Sequence, residues 1–97
     1  MAAPDVWVAK DDASDIIRAT AIAAVGRDYS GNITVRLSGG EHTAVTIVAA
    51  DGHADTPADF HLQLLRIINR LSDTAESAIV RPRQDTSLGW MWHTGPL

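Results

Sequence analysis

An α+β domain is predicted, with an antiparallel β-meander sheet of about five strands and one main amphipathic helix packed on one face. Three observations carry this reading. Phe60, Leu64, Ile67, Ile68 and Leu71 recur at helical spacing and make one apolar stripe. Ile33, Val35 and Leu37 alternate with Thr34 and Arg36, the period of a half-buried strand. Thr43 to Ala49 is rich in β-branched residues and follows the turn signal Ser38-Gly39-Gly40-Glu41. The 97 residues, 45% of them hydrophobic and 21% charged, fit a single domain over 1–97.

Taken in order, Val6-Trp7-Val8-Ala9 is a short apolar run between Pro4 and Asp11-Asp12, and reads as a first strand. Residues 16–25 carry two readings. As a strand, Ile17, Ala19, Ala21, Ala23 and Val25 form one apolar face, with Arg18 and Thr20 opposite. As a helix, Ser14 caps the start, Ile17, Ala21 and Ala24 share a face, and Gly26 follows the end. The strand is favoured, because a meander needs few residues per connection. The strand at 43–49 is apolar on both sides, with Val45 and Ile47 on one and Ala44 and Val48 on the other. That pattern predicts a central strand, or one whose outer face a second subunit covers.

The helix is expected over 57–73. Thr56 is placed to cap the free amides, Pro57 suits the first helical position, and Asp59 suits the positive end of the helix dipole. Leu64, Ile67, Ile68 and Leu71 should be almost fully buried, Leu65 should widen the stripe, and Arg66 and Arg70 should face solvent. Ala78-Ile79-Val80-Arg81 reads as a strand ended by Pro82. Leu88-Gly89-Trp90-Met91-Trp92 alternates, so both tryptophans share a face of a last strand.

The net charge is −4, which argues against a uniformly basic nucleic-acid footprint. It is unevenly spread. Residues 1–59 carry −5, while residues 60–97 carry +1 through Arg66, Arg70, Arg81 and Arg83 against Asp73, Glu76 and Asp85. Seven of the eight basic residues are arginine and ten of the twelve acidic ones aspartate, a usage expected of a G+C-rich bacterial or phage gene. The absence of cysteine excludes disulfides, thiolate metal sites and a cysteine nucleophile. Met1 to Asp5 lacks a basic start followed by an apolar run, and no stretch approaches the roughly 20 apolar residues of a membrane span. A cytoplasmic chain with no membrane partner is expected.

Few residues suggest chemistry. Asp51, His53, Asp55, Asp59 and His61 gather carboxylates and imidazoles, but their spacing matches no standard metal site, and Asp51-Gly52 is ordinary turn chemistry. Glu41-His42 has no visible partner for acid–base work, and Ser38 lacks the Gly-x-Ser-x-Gly spacing of a nucleophile elbow. No catalytic residue, metal ligand or cofactor is therefore assigned. Leu62 lies off the apolar stripe beside Arg66. Together with the two-sided strand and the tryptophan-bearing tail, it points to a partner surface composed of Leu62, Arg66, Arg70, Val48, Trp90 and Trp92. The functional expectation is a non-enzymatic protein-interaction module that self-associates as a homodimer. Two alternatives stand beside it: a small regulator that contacts nucleic acid through the arginine-bearing C-terminal half, and an immunity or antitoxin-type inhibitor of a basic partner.

Overall fold

The computed structural model describes residues 5–39, 44–49, 56–73, 76–85, 87 and 89–96. Among them the chain forms β1 (Val6–Ala9), β2 (Ile16–Arg18), β3 (Ile22–Arg27), β4 (Ile33–Leu37), β5 (Ala44–Val48), α1 (Phe60–Leu71), β6 (Ala78–Asp85) and β7 (Gly89–Pro96). The α+β class holds, but the strands divide into two sheets. One has four strands in the order β2-β1-β6-β7, and the other is the three-stranded β3-β4-β5. Only the second is a meander. In the first, β1 runs parallel to β6, with Val8 opposite Val80, so the N-terminal strand is enclosed by strands from both ends of the chain.

Residues 16–25 are strand, as favoured, but in two pieces. Ile16–Arg18 pairs with β1, one turn of 3₁₀ helix at Ala19–Ala21 redirects the chain, and Ile22–Arg27 pairs with β4. The single alternating face is not formed. The turn resets the period, and a bulge between Ile22 and Ala24 resets it again. Ala23 and Ala24 are both exposed, while Ile22 and Val25 pack against the core. The β3–β4 connection is held by the Asp28 carboxylate, which accepts from the Ser30 and Asn32 backbone N–H groups and from Asn32 Nδ2. The Asn32 side chain first, then its backbone N–H, keep the Asp28 carboxyl below its usual pKa. These bonds are in place at neutral pH and are lost only as pH falls through that lowered value. Gly39, after β4, has φ of 83°, a conformation that side chains with a Cβ rarely adopt.

The reading of β5 as a central strand is overturned: it is an edge strand. Its register with β4 slips so that Val48 faces Ile33 and Thr46 faces Thr34, leaving Ile47 as the extra residue. A bulge re-aims side chains, and Ile47 and Val48 are both fully buried while Ala44 and Thr46 are exposed. Ile47 and Val48, which the sequence pattern puts on opposite sides, therefore both enter one core.

The helix starts at Phe60 rather than Pro57, because Thr56 is engaged elsewhere. Thr56 is buried, its hydroxyl donates to the Gly31 carbonyl at 2.6 Å, and it accepts from Arg27 Nε at 3.1 Å. Arg27 Nη2 also donates to the Thr56 carbonyl at 2.9 Å. This triad fastens the chain ahead of the helix to the β3–β4 turn. Asp59 takes the cap position without a side-chain bond to the backbone; its carboxylate accepts from Gln63 Nε2 and lies 3.9 Å from Arg66 Nη1.

Burial along the helix is narrower than expected. Phe60 and Leu64 are fully buried, but Ile67, Ile68 and Leu71 are only partly so, and Leu65 is 45% exposed. The first half of α1 sits over the closed core of Val6, Val8, Ile33, Val35, Ile47, Val48 and Val80. Its C-terminal end borders an open groove lined by Leu71, Ala78 and Thr94–Pro96, which leaves that end of the stripe half wet. Arg66 and Arg70 are exposed, as expected. β6 does not stop at Pro82 but runs to Asp85. β1 pairs only as far as Val80, so Pro82 interrupts no pairing with β1.

Replacing Leu64 with alanine should cost roughly 2–5 kcal/mol and lower Tm by about 10 °C or more, whereas Leu65→Ala should stay within roughly 0.5 kcal/mol of wild type. Thermal melts of the two variants check this; equal losses would mean that the helix is rotated from the position described.

Candidate functional site

The residues proposed as a partner surface lie on different parts of the fold, and one of them, Val48, is core. Val48 is fully buried and is removed from any surface; the bulge in β5 turns it inward. Leu62 is 43% exposed and shares the outer side of α1 with the exposed Arg66 and Arg70. Trp90 and Trp92 lie on the core side of β7 and pack against the buried cluster. Trp92 stacks on Phe60 with ring centroids 4.5 Å apart and planes 16° from parallel. Its Nε1–H donates to the Phe60 carbonyl at 2.9 Å. The tail thus folds back onto the start of the helix and closes the core of its own chain.

The candidate metal loop Asp51, His53 and Asp55 lies outside the described residues, as do Glu41 and His42. Among the described residues no three metal-ligating side chains converge. His61, in the first turn of α1, is half-buried, and its Nδ1 is buried without a hydrogen-bond partner.

The side of the four-stranded sheet facing away from the core is built by alternation. Val6, Val8, Val80 and Pro82 turn inward, so Trp7, Ile79, Arg81 and Arg83 turn outward. Across the ladder Arg81 faces His93 and Arg83 faces Met91. At the other end the Arg18 guanidinium covers the Trp7 ring at 4.9 Å and lies 3.9 Å from the Asp5 carboxylate. The arginines of the C-terminal half are therefore split. Arg81 and Arg83 are on the outside of this sheet, whereas Arg66 and Arg70 are on the helix that packs on its core side.

The strand edges supply a feature that pattern reading missed. An edge strand presents unpaired backbone N–H and C=O groups, and proteins usually protect it by shortness, bulges, prolines or charges. Among the described residues four strands are edges: β2, β7, β3 and β5. β2 has only three residues, and β3 and β5 both border a register slip. β7 has eight residues paired to β6 without a break from Gly89 to Pro96. Gly89-Trp90-Met91-Trp92-His93-Thr94-Gly95-Pro96 contains no lysine, arginine, aspartate or glutamate, and its only proline is the terminal Pro96. The uncharged run was visible in the sequence. Its position at the end of a sheet was not, because that depends on the order of all four strands.

Comparison with protein-family models, curated proteins and solved structures finds no match to this chain. Among the described residues, no helix is long and apolar enough to cross a membrane.

The Trp92 contact makes a graded prediction. Trp92→Phe keeps a ring over Phe60 but removes the indole donor, and should cost about 1 kcal/mol. Trp92→Ala removes the ring as well and should cost roughly 3–5 kcal/mol. A chain ending at Ser87 loses the strand that pairs with the whole of β6 and should give no cooperative melt. Denaturant unfolding followed by near-UV circular dichroism measures all three; a truncated chain that still melts cooperatively would show that the tail lies outside the folding unit.

Proposed function

We propose that this chain is a non-enzymatic protein-interaction module that receives an extended strand along the outer edge of β7. The observation that carries the reading is the contrast between edges: three are short or bulged, while β7 is long, regular and uncharged. In strand addition, main-chain hydrogen bonds supply the affinity and alternate side chains the selectivity. The core-side residues Trp90 and Trp92 hold β7 in place from within, so the edge is presented on a supported frame.

A second reading, contact with nucleic acid, draws on Arg81, Arg83 and His93 sharing one side of the β6–β7 ladder. It has less support. Asp85 continues the same alternating row as Arg81 and Arg83, and Arg66 and Arg70 sit on another surface. Phosphate binding carried by such a patch would weaken steeply as salt rises, whereas strand addition rests on backbone bonds.

A blocked hexapeptide of alternating threonine and valine serves as a neutral strand probe. At millimolar concentration it should shift the backbone amide resonances of residues 89–96, with little change as salt is raised. Shifts confined to other edges, or none at all, would remove the reading.

A further inference from the structure

Resting on that strand-addition reading, we infer that the strand β7 receives is β7 of a second copy of this chain, paired antiparallel about a two-fold axis. Such pairing joins two four-stranded sheets into one continuous sheet.

Charge favours this occupant. Residues directly opposite across an antiparallel pair are close enough for like charges to be destabilising. With no lysine, arginine, aspartate or glutamate between Gly89 and Pro96, β7 meets no such pair when it faces its own image. The nearest arginines, Arg81 and Arg83, are one strand further in on β6. Three strand spacings, about 14 Å, separate β6 of one copy from β6 of the other. That exceeds the Debye length of about 8 Å at physiological ionic strength, so the arginine rows do not oppose association.

The pleat also restricts the register. Trp90, Trp92 and Thr94 alternate toward one side of the sheet and Met91 and His93 toward the other. A two-fold axis perpendicular to the sheet matches core side to core side only when it passes midway between a residue and that residue's own image. Overlap is then greatest with the axis at Trp92, which pairs 89–95 with their images, or at His93, which pairs 90–96. In either register His93 faces its own image directly or along the diagonal. Trp92 remains stacked on Phe60 of its own chain, so association needs no exchange of the tail.

The test is sedimentation equilibrium of the full chain from about 1 to 500 μM, alongside the variant His93→Glu. In the monomer, position 93 faces Arg81, so the carboxylate gains a cross-strand partner and Tm should not fall. In the dimer it meets its own image across the axis. Wild type should approach twice the monomer mass of 10.4 kDa, and His93→Glu should weaken the dimer tenfold or more at unchanged Tm. A wild-type mass of 10.4 kDa throughout overturns the inference. If the neutral strand probe still shifts β7 in that case, the edge reading survives and only the partner is wrong. A dimer that His93→Glu leaves intact overturns the inference from the other side, by placing the interface away from β7.

Discussion

Trp92 lying flat on Phe60, with its indole N–H bonded to the Phe60 carbonyl, is the contact on which the closure of the core depends. Phe60 is the first residue of the helix and fully buried; Trp92 sits in the middle of the last strand. One side-chain pair therefore ties the C-terminal strand to the start of the helix. An aromatic pair at this offset contributes roughly 0.5–1.5 kcal/mol beyond the area it buries. The hydrogen bond fixes which way the indole points. With β7 held in this way, β6 has a partner along its whole length, and the parallel pairing of β6 with β1 lies inside the sheet rather than at its rim.

Two smaller ties join the remaining parts to that frame. Thr56 and Arg27 bind the segment before the helix to the β3–β4 turn, which brings the three-stranded sheet up to the helix start. On the other side the Asp11 N–H donates to the Ile47 carbonyl, and its carboxylate accepts from the Ala49 N–H, fastening the β1–β2 turn to β5. The two sheets are thus connected through backbone polar groups as well as through their common apolar cluster. Thr56 is the one buried polar side chain among the described residues, and it is satisfied both as donor and as acceptor.

What was legible in the sequence is what depends on local period. The helix stripe from Phe60, the alternation of Ile33, Val35 and Leu37, the first strand and the shared side of Trp90 and Trp92 all follow from spacing alone. What failed depends on distant partners. Two adjacent apolar residues, Ile47 and Val48, read as opposite faces until a bulge aims both inward. Thr56 reads as a helix cap until Gly31 and Arg27 claim its hydroxyl. Pro82 reads as a strand end until it is seen that β1 stops at Val80. The candidate surface loses Val48 for the same reason. Its tryptophans are aromatic anchors as expected, but for the chain's own helix, and Val48 is core. The edge of β7 is a property of strand order, which no local pattern encodes.

On the proposed pairing β7 has two roles that face different ways: its core side closes the monomer, and its outer edge receives a second copy. Amide hydrogen exchange across β7 as a function of protein concentration tests that division most directly. The account predicts that amides bonded to β6 are protected at every concentration, while the alternate, outward-facing amides become protected only as concentration rises. Protection of both sets that appears together with rising concentration would contradict it, since the tail would then fold only within an assembly. Outward amides that stay unprotected at all concentrations would contradict it equally.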